Sequence, residues 1–78
     1  MKINGQFVKK VRIHGGNYWH KHHEDEAVIL IGGDLSVQYI DKVHRLNCGE
    51  IFQLHRNNYY RMVSLAGADI IHLGDSMH

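Results

Sequence analysis

Apolar residues in this chain fall in short runs of about five to eight, rich in Val, Ile, Tyr and Phe, which is the composition of strands. The runs predict strands over 6–13, 18–23, 26–31, 35–40, 43–46, 50–54, 59–64 and 68–73. None is long enough for a convincing helix, and no apolar stripe recurs at helical spacing. Gly32-Gly33-Asp34 reads as a turn whose residues tolerate positive φ, and Asp41-Lys42 fits a tight hairpin between two alternating runs. Short strands at regular spacing predict an all-β sandwich or barrel, because a lone small sheet would leave one face wet and its edges open.

The run Ala27-Val28-Ile29-Leu30-Ile31 is apolar on both strand faces. A small barrel has one interior, so one of these faces needs a cover. That cover is either the edge of the second sheet or a partner chain, and a homodimer is the expectation drawn here. The length of 78 residues gives room for one domain, 1–78, and no second. A chain this short buries only roughly 60% of its unfolded surface, so a bound metal or a second copy would add needed stability.

A formal charge of +1 with interspersed signs gives no field to gather nucleic acid or an anionic membrane. The first residues carry no uninterrupted apolar run after their lysines, so neither a secretory leader nor a membrane span is expected. The single cysteine, Cys48, rules out an intrachain disulfide and fits a reducing, cytoplasmic setting.

Eight histidines are the unusual entry in the composition. Their spacing is informative in the segment from Tyr18 to Glu26. Residues two apart on a strand point the same way, so His20 and His22 project to one side and Lys21 and His23 to the other. Glu26 shares that parity four residues on, and a slight bend brings its carboxylate to the same point. Two imidazoles and one carboxylate with open positions form a facial triad that suits non-haem iron, and Mn, Ni, Zn or Cu could also occupy it. Glu24 and Asp25 are also available as donors, and a histidine pair two apart is also what a solvated strand face looks like.

The pattern resembles the cupin superfamily, specifically its small single-domain members with two short motifs. The first motif, over about 15–33, is a glycine, five residues, His-x-His, three or four residues, Glu, six residues and Gly. Gly15, His20, His22, Glu26 and Gly33 match it, with Gly15 one residue too close. The second motif, over about 49–64, opens with a glycine after a spacer, and fifteen residues separate Gly33 from Gly49. Its later Pro, Gly, His and Asn positions carry His55, Asn57, Tyr60 and Ser64. Asn57 can replace a turn glycine because asparagine tolerates the left-handed region.

The resemblance implies a jelly-roll β-barrel holding one divalent transition metal on His20, His22 and Glu26. The family's fourth ligand position carries Tyr60, which could bond a bound water or face substrate, fill the space of a lost ligand, or ligate directly. Direct ligation ranks last because an ordinary phenol keeps its proton above neutral pH. His55 reads as a rim residue. His14, His44, His72 and His78 lack a partner at ligand spacing, although His72, beside Ile70, Ile71 and Leu73, could reach the interior behind the ligands. Phe52, Leu54, Met62, Val28 and Leu30 are expected in the core, Tyr18 and Trp19 in packing or a dimer contact, and Arg61 toward solvent or a partner.

Three functions follow from the resemblance. One is a metal protein acting on a small molecule by oxygenase, isomerase or lyase chemistry. Another is a non-catalytic binder of a sugar-like ligand. The third is a structural dimer with a degenerate metal site.

Overall fold

A computed structural model describes residues 2–3, 6–16, 18–21 and 23–74. The chain forms β1 (Lys2–Ile3), β2 (Gln6–Gly16), β3 (Glu26–Gly33), β4 (Leu35–Tyr39), β5 (Val43–Leu46), β6 (Ile51–Leu54) and β7 (Tyr60–Gly74). All the pairings are antiparallel, in the order β1-β2-β7-β3-β6, with β4 joining β7 to β5. The result is an all-β sheet curled into a half-barrel.

The curl comes from β7. Its first residues, Tyr60 to Val63, pair with β4, and its later ones, Ala68 to Leu73, pair with β3. Between them the strand turns a corner that Asp34 ties together. Asp34 Oδ1 accepts from the Ser64 hydroxyl at 3.0 Å and from the Ala66 N–H at 2.8 Å, and Oδ2 accepts from the Leu65 N–H at 3.0 Å. The Ser64 hydroxyl oxygen in turn accepts from the Gly67 N–H at 2.9 Å. These bonds hold the Asp34 carboxyl below its ordinary pKa, the Leu65 and Ala66 N–H groups most of all. Gly33, at φ +85°, lets β3 pass this corner, since a Cβ there would overlap the Gly67 carbonyl.

Directly opposed residues of an antiparallel pair share a face. Val28, Leu30, Leu35, Val37, Leu46, Leu54, Met62, Ala68 and Ile70 accordingly fill one buried cluster, against which Phe52 packs, as the alternation predicts. On the outer face Ile71, Ile29 and Ile51 stand side by side across β7, β3 and β6. Ile51 is 61% exposed and Ile31 48%.

Two expectations are corrected. The segments 59–64 and 68–73 are one strand, because the Asp34-bonded corner carries the chain between them without a break in pairing to β2 beyond a bulge. Of the predicted strand 18–23, the described residues 18–21 and 23 form no strand. Among its described residues, only His20 pairs, through an isolated bridge to Tyr60. Charged and polar residues dominate this stretch, and it offers no apolar face to hold it on the sheet. Asn57 does take the left-handed conformation, at φ 66°.

Candidate functional site

One end of the half-barrel collects the polar side chains singled out from the sequence. β3 starts there at Glu26 and β7 at Tyr60, while β4 ends there at Tyr39, paired with Tyr60. His20 exchanges both backbone hydrogen bonds with Tyr60, N–H to O at 2.7 Å and 2.9 Å. Such a pair directs both side chains to the same face, and the two rings lie 5.9 Å apart between centroids. Since Tyr60 is only 2% exposed, that face is the interior.

Glu26 is also 2% exposed. It stands opposite Leu54 on β6, and next along that face Val28 stands opposite His72 on β7. The Glu26 carboxylate and the His72 imidazole therefore share the interior, with Oε1 and Nε2 3.3 Å apart. Gly74 gives the carboxylate its room, since a Cβ there would come within 3.0 Å of Glu26 Oε2. A carboxylate this deep has no bulk water to solvate it and depends on the polar groups beside it. Lys9 stands opposite His72 on β2, at the margin of the same face.

Tyr60 feels this charge. Burial, the Glu26 carboxylate and Tyr39 all push its phenol well above the ordinary tyrosine range, burial most strongly. Tyr39 is likewise raised by burial. The Tyr60 hydroxyl therefore stays protonated at neutral pH and is available as a donor rather than as an anionic ligand.

His22 lies outside the described residues, as does His78. Among the described residues no three His, Cys, Asp or Glu side chains come together closely enough to hold a metal ion. Of the two described members of the expected trio, Glu26 meets His72 and His20 meets Tyr60. The Glu26 to His72 contact was hinted at only by the place of His72 in an apolar run. Nothing in its spacing to the other histidines marks it.

The rim is built from other residues of the same segments. Asp25 Oδ1 accepts from the Arg56 N–H at 2.8 Å, which fixes the chain entering β3 to the β6–β7 loop. His55 is exposed there, as the rim reading has it. It helps line a cleft of about 260 Å³ with Tyr39, Lys42 and Tyr59. Arg61 donates to Gln38 at 2.7 Å and lies over the Trp19 ring, 5.2 Å from its centroid. Ser64, in the family's asparagine position, is at the far corner and fully buried.

No family model matches the sequence, and no curated protein matches it either. Solved structures match the fold well. A cupin-2 domain protein of Shewanella frigidimarina aligns with TM-score 0.89 and 23% identity, over 94% of this chain and 72% of that one. A protein of Neisseria meningitidis aligns with TM-score 0.90 and 22% identity, over 97% of this chain and 79% of that one. An RmlC-like cupin of S. frigidimarina gives 0.78 and 17%, over 88% and 64% of the two chains. The chain thus has the cupin fold.

Proposed function

We propose that this chain binds a small molecule at the mouth of its half-barrel, beside one divalent transition metal held by His20, His22 and Glu26. The observation that carries the reading is the Glu26 carboxylate, 2% exposed, at the end of the interior where His20 and Tyr60 also point. Imidazole nitrogen and carboxylate oxygen are donors that suit Fe, Mn, Ni, Zn or Cu. Proteins of this fold often bind a metal. His22 enters on the sequence motif alone.

An ion bound there would polarise a substrate oxygen or activate dioxygen. The chain's own residues do the rest. The protonated Tyr60 hydroxyl donates to a ligand oxygen or a water, and Leu54, Phe52 and Val28 supply an apolar wall that excludes bulk solvent. Oxygenase, isomerase and lyase chemistry are all compatible with that arrangement. A second reading, a sugar-like binder without catalysis, is favoured by Tyr60 standing where the motif has a histidine.

The reading extends to a cytoplasmic single-domain homodimer that takes neither nucleic acid nor membrane as a partner. The second copy covers Ile29, Ile31, Ile51 and Ile71.

Metal analysis by mass spectrometry tests the site on untagged protein purified without chelators, beside His20→Ala and His22→Ala. Near-stoichiometric metal, lost in both variants, is the expected result. A wild-type protein that takes up no Fe, Mn, Ni or Zn even after reloading leaves only the metal-free binder or a structural dimer.

A further inference from the structure

We propose that the cleft at the rim of the mouth is a binding site for a free α-amino acid with a large apolar side chain. The site goes beyond the metal reading and does not depend on it, since neither His20, Glu26 nor Tyr60 lines the cleft. The end of β4 and the turn after it supply one wall, with Tyr39, Ile40, Asp41 and Lys42. The loop between β6 and β7 supplies the other, with His55, Asn58 and Tyr59. Both walls are held in place without a ligand. The Tyr39 N–H donates to the Lys42 carbonyl at 2.7 Å and closes the turn. Asp25, through the Arg56 N–H, and the left-handed Asn57 fix the loop.

The charges of the cleft match a zwitterion. Asp41 and Lys42 are consecutive, their Cα atoms about 3.8 Å apart, so a carboxylate and an ammonium arise side by side. Among the described residues neither is in a salt bridge. The Lys42 ammonium stands instead over the Tyr39 ring, 5.3 Å from its centroid, on the same wall. A ligand ammonium meets Asp41, a ligand carboxylate meets Lys42, and the Asn58 amide offers further donors from the opposite wall. Beside these groups Ile40 is 80% exposed and Tyr59 49%, apolar surface for the ligand's side chain to cover. A neutral sugar would leave both charges unpaired, and a simple carboxylate would leave Asp41 facing a like charge. The cleft volume of about 260 Å³ lies below the roughly 300–1,000 Å³ of sites for drug-sized ligands, which suits a single amino acid.

Titrating the full chain with L-phenylalanine, followed by amide NMR before and after chelator treatment, tests this. Shifts around Asp41 and Asn58 in both samples are the expected result. N-acetylphenylalanine, which lacks the ammonium, and phenylalaninamide, which lacks the carboxylate, should each bind about tenfold more weakly or worse. Asp41→Asn should no longer tell phenylalanine from N-acetylphenylalanine, and Lys42→Met should no longer tell it from phenylalaninamide. Both substitutions fall at exposed positions and spare the core. Equal binding of phenylalanine and the two analogues by the wild-type protein overturns the proposal. So does the absence of shifts in the cleft up to the solubility of phenylalanine. Shifts confined to His20 and Glu26 and lost with the metal also overturn it and leave the function reading standing. Cleft shifts in a chain that takes up no metal uphold it where the metal reading fails.

Discussion

His44 meets Glu50 across the start of β6, Nε2 to Oε2 at 2.7 Å, and the same imidazole stacks on Phe52 with centroids 4.5 Å apart. Glu50 also accepts from the Asn47 N–H at 3.0 Å, and that bond, ahead of His44, lowers its pKa. Asp34 is lowered in the same direction at the β7 corner. A depressed carboxylate adds stability that is present above its unfolded pKa, about 4, and lost as pH falls through the folded value. Urea denaturation at stepped pH should therefore show a decline that begins below about pH 4. Asp34→Asn should flatten that decline, and an unchanged acid limb would show that the corner bonds do not form in solution.

At the alkaline end the tyrosines decide. Tyr60 and Tyr39 are both raised, so their neutral forms favour the fold below about pH 10, and that contribution is lost as pH climbs through the raised values. Ultraviolet titration of phenolate should show a fraction that ionises only with unfolding. Tyr60→Phe should remove part of that fraction and delay alkaline unfolding. A tyrosine set that titrates completely before the fold is lost would contradict the burial of Tyr60.

Gly33→Ala should cost about 2 kcal/mol or more, since it places a side chain at positive φ and drives its Cβ into the Gly67 carbonyl. Leu30→Ala, at a residue 1% exposed, should cost about 2–5 kcal/mol. Against the total of roughly 4–12 kcal/mol expected at this length, either change is large. Denaturation midpoints with an unchanged slope would check both, and a Gly33→Ala protein as stable as wild type would mean a different corner.

Light scattering on eluting protein should give twice the chain mass, and Ile51→Lys should halve it. Ile51 is 61% exposed on the outer face, so the lysine disturbs a partner's approach and spares the interior. A monomeric wild-type protein would remove the dimer from the proposed function.

Alternation made the interior legible in advance. Val28, Leu30, Leu54 and Met62 are buried where the two-residue period puts them, and Asn57 takes the glycine conformation its motif position asks for. The stretch 18–23 was not legible as structure, because among its described residues only His20 pairs with the sheet. The corner was missed for a related reason. Leu65-Ala66-Gly67 breaks the strand pattern, and only the approach of Asp34, 30 residues away from Ser64 along the chain, makes it continuous. The nearness of His72 to Glu26 likewise depends on strand order, which no local pattern encodes.

β7 works as a pair of callipers. One arm ends near Tyr60 and the other near His72, and their pivot is the Asp34-bonded corner, roughly 13 Å away at about 3.3 Å per residue from Ala68 to His72. The gap between the arms sets how far apart the polar groups of the mouth stand. A change of one side chain at the pivot therefore alters the site's dimensions while touching none of the residues in it.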